Sequence, residues 1–318
     1  MRIVRIALLS CLAADLFAAD RSAQAASYLD DRMDWWMDWP TAARDHGTFC
    51  VSCHTVSPHA LGRPALRSAP GEQSPSATER RLLANVTKAV RMWNAVQPFY
   101  ADGPQTPGKA AESRGAEAIL NALIPTRYDN AQDAKLALDN MWALQLETGD
   151  AAGAWPWLQF HNAPWEGDSQ YYGATVTAIA TSSRDARDNQ SGMKSLRECP
   201  IRERDKQIPI DRVMLLWAST KMPDLLTPAQ KQSIVGETLS KQHPDGGFSL
   251  ADFVGSWKRE DNTPLETRSD GYATAVVTFV LREAGIANRR SHDWLLANRN
   301  PTEGIWPAWA VLALNPAC

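Results

Sequence analysis

The sequence predicts an all-α protein, and three observations carry that expectation. Apolar residues recur at three- and four-residue steps in one segment after another. Turns between those segments carry Gly, Pro and Asp, the residues that stop helices. No stretch sustains the apolar–polar alternation of a half-buried strand. The 318 residues, 44% hydrophobic and 22% charged, suffice for a substantial core in one large or two ordinary domains. A net charge of -3 provides no basic field, so nucleic acid is not an expected partner.

The first element reads as an export signal over residues 1–25. Arg2 and Arg5 supply a short positive region, Ile6 to Phe17 is mostly apolar, and Ala23-Gln24-Ala25 is a small-x-small cleavage site. Asp15 interrupts the apolar run, and a first core helix is the competing reading. Cys11 after Leu8-Leu9-Ser10 has the look of a lipoprotein site, but the run before it is short. No later stretch reaches membrane-span length. The expectation is a periplasmic or otherwise exported protein beginning near Ala26.

Residues 26–110 form the next unit. Tyr28 to Trp39 can be helical up to Pro40. A loop punctuated by Pro58, Pro64, Pro70 and Pro75 follows residue 54. Glu79 to Val96 is a clear helix through Leu82, Leu83, Val86, Val90 and Trp93, with Thr78 as its cap. Ala101 to Lys109 is a linker. From 111 to 318 the chain predicts helices over 113–123, 131–146, 169–182, 210–219, 228–242, 271–284, 292–298 and 306–314.

The third unit repeats. Gly153-Ala154-Trp155-Pro156 returns as Gly304-Ile305-Trp306-Pro307, with Gly246-Gly247-Phe248 as a looser copy. Each follows a helix that ends in Gln145, Gln242 or Asn298. Glu166 to Tyr172 and Glu266 to Tyr272 each open an apolar helix behind an acidic residue. Repeated helical hairpins bury their faces only against neighbours and so form arrays or rings.

These motifs resemble the Gln-Trp repeats of squalene-hopene cyclases and protein prenyltransferases. The resemblance implies an α/α toroid over roughly residues 112–318, small or incomplete because the helices fall short of a double ring of twelve. It also implies a cavity lined by Trp155, Trp157, His161, Trp165, Glu166, Asp168, Tyr171, Tyr172, Asp270 and Tyr272. The family's Asp-x-Asp-Asp acid is missing, as is its Asp-Asp-x-x-Asp motif. Asp168 and Asp270 also stand where helix caps belong.

The chemically specific run is Phe49-Cys50-Val51-Ser52-Cys53-His54-Thr55. Two thiols at this spacing can add across the vinyl groups of a haem, and the adjacent histidine can ligate its iron. Locally the run resembles c-type cytochromes, so Cys50, Cys53 and His54 are expected to hold one covalent haem c, with His54 as the metal ligand. A redox-active Cys50–Cys53 disulfide and a zinc site are the other readings. The first wants a βαβ context and the second a further ligand, and neither is visible. The distal iron ligand is left among His161, His59, Met92, His46 and an open position. Cys199 and Cys318 can pair in an oxidising compartment.

Three functions follow as expectations. The first is electron transfer, with the ring binding a redox partner protein or a small apolar molecule. The second is a haem-dependent oxidoreductase acting on a terpenoid or lipid. The third is a cyclase-like lyase or isomerase using Asp168 or Asp270.

Overall fold

The computed structural model describes residues 21–67, 71–104, 106–128, 131–160, 169–181, 189–258, 264–302 and 305–306. Among the described residues every regular element is a helix, and extended pairing is limited to the isolated bridges Ala43–Phe49 and Gly103–Thr106. The all-α expectation holds. Among the described residues no helix is long and apolar enough to cross a membrane.

Helix α1 covers residues 21–38 and so runs through the expected cleavage point. Helix α2 (Val56–Leu66) stands where the prolines led us to expect a loop. Pro58 lies in its first turn, where backbone N–H groups lack intrahelical acceptors anyway. Pro64 lies inside, and buried charge holds the helix in place around it. Arg63 Nε donates to Asp30 of α1 at 3.0 Å and its Nη2 to Glu72 at 2.7 Å, while His59 Nε2 lies 2.9 Å from Asp30 Oδ1.

Helix α3 (Ala77–Arg91) starts at a capping box on Ser76, two residues before the expected cap. Ser76 Oγ accepts from Glu79 N–H at 3.2 Å, and Glu79 Oε2 accepts from Ser76 N–H at 2.8 Å. Thr78 instead ties α3 to α1, donating to Asp34 at 3.1 Å.

The remaining helices are α4 (Lys109–Arg127), α5 (Ala131–Trp142), α6 (Ser169–Ala180), α7 (Gln190–Glu203), α8 (Pro209–Lys221), α9 (Pro228–Ser240), α10 (Gly271–Glu283) and α11 (Arg289–Ala297). Helix α7 was not expected; its Pro200 and polar stretch obscure the period. The expected helix over 306–314 lies outside the described residues. Helices α4, α6, α8 and α10 pack in succession, and α5, α7, α9 and α11 each pack back on the one before. Helix α2 packs on α4, and α3 on both α4 and α5. The core is continuous across the linker, from Met33 and Trp36 through Ile119 and Leu215 to Leu281.

Three turns share one wiring. After α5, Leu146 N–H donates to Ala154 O at 2.9 Å; after α9, His243 N–H to Gly247 O at 3.0 Å; after α11, Asn300 N–H to Ile305 O at 2.8 Å. In each case the acceptor immediately precedes the aromatic residue. Gln145 Nε2 donates to Gly153 O at 3.1 Å and to Gly192 O of α7 at 3.0 Å. Gln242 Nε2 donates to Gly246 O at 2.8 Å and to Asn288 Oδ1, the cap of α11, at 3.1 Å. One amide thus fastens a turn to the helix beyond it. Asn298 departs, folding its amide back on Trp294 O at 2.9 Å. Gly153 and Gly246 are the matching glycines, both left-handed at φ 92° and 96°, so the second copy is also Gly-x-aromatic.

Candidate functional site

The Cys50–His54 run is fixed from three sides. Asn85 of α3 grips Phe49 twice, accepting from its N–H at 2.8 Å and donating to its carbonyl at 3.1 Å. Cys50 N–H donates to Ala42 O at 2.8 Å, and Trp36 Nε1 donates to Cys50 O at 2.7 Å. Ser52 Oγ accepts from the N–H groups of Thr55 and Val56, both at 3.2 Å, and so ties the turn to the start of α2. The turn bearing both thiols and the imidazole therefore sits on a helix start, with its backbone pinned at residues 49, 50 and 52.

His54 stands edge-on to Trp36, with ring centroids 5.0 Å apart and planes at 86°. Its Nδ1 lies 3.0 Å from Thr55 Oγ1, leaving Nε2 as the nitrogen for a ligand. Burial holds the imidazole below its usual 6.5, so the ring is neutral near pH 7, the form that binds metals.

A small cavity adjoins the turn. Cys50, Cys53, His54 and Trp36 form one wall; Ala116, Glu117 and Leu120 of α4 and the segment Trp157, Leu158 and Phe160 form the others. Both units of the chain thus build it. Its polar end is Glu117. Arg44 Nη1 lies 3.1 Å from Glu117 Oε1, which also accepts from Phe99 N–H at 3.1 Å. Glu117 Oε2 makes no hydrogen bond, and Arg114 Nη1 stands 3.8 Å from it. Burial pushes this carboxyl above its ordinary value despite both guanidinium groups.

A second group of polar side chains lies close by. Tyr172 of α6, Asp211 in the first turn of α8 and Tyr272 of α10 share an electrostatic environment with Cys53. Burial drives both phenols above 10, helped by Cys53 and Asp211 at Tyr172 and chiefly by Tyr172 and Asp270 at Tyr272. Trp157 joins the two groups, meeting Tyr172 edge-on at 5.5 Å.

The expected site residues divide. Cys50, Cys53 and His54 come together, with Trp157 beside them and Tyr172 and Tyr272 nearby. Trp155 is a correction: it is fully buried in the core, tilted against Trp142 at 51°, and its Nε1 donates to Met141 O at 2.6 Å. It is a packing staple and, among the described residues, takes no part in the cavity beside Cys50 and Cys53. Tyr171 is likewise core, donating to Pro200 O at 3.4 Å. Asp270 is the cap of α10. Its Oδ1 accepts from Ala273 N–H at 2.8 Å and its Oδ2 from Leu250 N–H at 2.7 Å. Asp270→Ala is expected to cost about 1–2 kcal/mol in urea unfolding; an unchanged midpoint would remove the capping role. His161, Trp165, Glu166 and Asp168 lie outside the described residues, as do Cys11 and Cys318; Cys199 is buried.

Of the distal-ligand candidates, His59 is committed to Asp30, His46 sits half-exposed beside Asp45, and Met92 ends α3; none of them lines the cavity. Burial holds His59 below 6.5, outweighing the upward pull of Asp30 and Glu79. Because the unfolded chain then binds the extra proton, stability rises with pH through that interval and is lost as pH falls below 6.5. Urea midpoints at about pH 7.5 and 5.5 should differ in that sense, and His59→Gln should flatten the difference.

Sequence reading missed Trp36, Ser52, Asn85, Glu117 and Asp211. Only Ser52 carried a local signal, as a Ser standing before a helix. The chain matches no protein-family model, no curated protein and no solved structure.

Proposed function

We propose that this chain is an exported c-type haem protein that transfers electrons through one haem, which Cys50 and Cys53 would hold covalently and whose iron His54 Nε2 would ligate. The observation that carries the reading is the pinned turn that presents both thiols and a neutral imidazole to one aromatic-walled cavity. The donor chemistry fits the group: soft thiols for the side-chain links, a buried imidazole for iron, and apolar walls of Trp36, Leu120, Trp157 and Phe160. The enclosed space is about 70 Å³, below the ~300–1,000 Å³ of small-molecule sites. The walls, with Trp157, Leu158 and Phe160 among them, would have to open to admit the group.

When bound, the haem supplies a one-electron couple. The chain's own residues do the rest. Thr55 fixes the His54 ring, Trp36 excludes water from one side, and Arg44 and Arg114 around Glu117 set the charge at the far end. Hydrogen bonding and burial of this kind are what tune a haem's potential. In this reading the C-terminal helical array is a small or incomplete α/α toroid that binds the redox partner or an apolar molecule. The alternation of α4, α6, α8 and α10 with α5, α7, α9 and α11 supports that reading.

A second reading, a haem-dependent oxidoreductase acting on a terpenoid or other lipid, draws on one observation: Tyr172 and Tyr272 lie within electrostatic reach of Cys53 and of the buried Asp211. The test is an absorption spectrum of the protein exported in cells with haem-attachment machinery, oxidised and reduced, with and without carbon monoxide. The electron-transfer reading expects a c-type spectrum that carbon monoxide does not change. A carbon-monoxide shift selects the oxidoreductase. A colourless protein excludes both.

A further inference from the structure

We propose that Trp36, Trp39 and Trp35 form an electron path from a haem held at His54 to the protein surface, and that Trp35 is where a one-electron donor makes contact. The proposal rests on the haem reading and adds to it a route and a point of entry.

The geometry is a continuous run of aromatic contacts. His54 meets Trp36 edge-on at 5.0 Å between centroids. Trp36 meets Trp39 at 5.4 Å and 55°. Trp39 stacks on Trp35 at 5.3 Å and 17°, a closer approach than the 6.4 Å at which Trp35 meets Trp36 directly. The path climbs steadily to solvent: Trp36 is 2% exposed, Trp39 is half-buried and Trp35 is 47% exposed. At its inner end Trp36 also donates to Cys50 O at 2.7 Å, so it touches the turn that carries both thiols. At its outer end Arg32 lies over the Trp35 ring, 4.7 Å from its centroid.

Packing explains the two inner rings and not the outermost one. Trp36 belongs to the buried core. Trp35 buries only about half of its surface, and its ring stacks on Trp39, which itself packs against that core. Trp39 follows directly on the last residue of α1 in extended backbone, φ -74° and ψ 121°, and its ring lies back over Trp35. Their stack extends the π surface of Trp36 to solvent.

One electron leaves a one-electron donor at Trp35 and arrives at the iron ligated by His54. No bond forms or breaks, no proton moves, and each indole ends unchanged. The donor is oxidised by one electron and the iron reduced by one.

The test attaches a ruthenium polypyridyl complex to Asp31→Cys, one helical turn before Trp35, and follows haem absorbance after flash reduction of the complex. Trp39→Leu is expected to slow electron arrival roughly tenfold, with the midpoint potential and the static spectra unchanged. Trp39→Phe, which keeps a ring, should slow it less. The same complex on Leu239→Cys, on the exposed side of α9, should report no effect of Trp39→Leu. An unchanged rate from position 31 overturns the path and leaves the haem reading standing. A Trp39→Leu variant whose potential or spectrum moves shows a structural role and also overturns it. A protein with intact cysteines and no haem spectrum overturns the haem reading and the path together.

Discussion

Replacing Cys50 and Cys53 together by alanine is expected to yield a helical protein with no covalently attached haem after export in cells that carry out the attachment. The single replacement His54→Ala is expected to retain some thioether-linked haem with an altered spectrum. The asymmetry follows from the chemistry of the run: the thiols make the bonds, and the imidazole supplies only the axial donor. The helical content should survive in both variants. The backbone of the turn is held by Asn85, Ala42, Trp36 and Ser52, and none of those hydrogen bonds uses a side chain of Cys50, Cys53 or His54. Two measurements separate the outcomes. Denaturing electrophoresis with haem staining reports attachment, and circular dichroism reports the helices. Stained haem in the double variant would sink the assignment of the thiols. Loss of helix in the double variant would mean that the thiols serve the fold.

The periodic helices were legible because their apolar faces recur in the sequence, as in α3, α8 and α10. Helix α2 was hidden by two prolines, and its stability comes from Arg63, Asp30 and Glu72, residues separated by up to 42 positions. Local pattern does not report such pairings. The thiol–histidine turn was legible for the opposite reason, since its chemistry lies in five consecutive residues. Its surroundings were not: Trp36, Asn85, Glu117 and Trp157 reach it from α1, α3, α4 and the turn after α5. Trp155 shows a different limit. A repeated aromatic behind a glycine marks a structural position, but the sequence does not say which side of the turn the ring takes. The structure puts it in the core, with its indole N–H on the carbonyl of Met141.

The repeat itself yields the second large effect. Gly153→Ala is expected to destabilise the protein by about 2–5 kcal/mol, combining ~1–2 kcal/mol of left-handed backbone strain with ~1–3 kcal/mol of overpacking. Its φ is 92°, and an added Cβ would lie 2.2 Å from the backbone oxygen of Ser195. That oxygen belongs to α7, so the methyl can be accommodated only by moving the helix. Moving α7 would also stretch the bond from Gln145 to Gly192, which fastens the same turn from its other side. At the matching position, Gly246→Ala meets Arg290 O at 2.8 Å with φ 96°. The backbone strain is equal there and the overlap smaller, so the cost should be lower. Urea unfolding of the two variants checks both the size and the order. If Gly246→Ala proves the more damaging, the two turns are not structural equivalents, and the array is not built from one repeated unit.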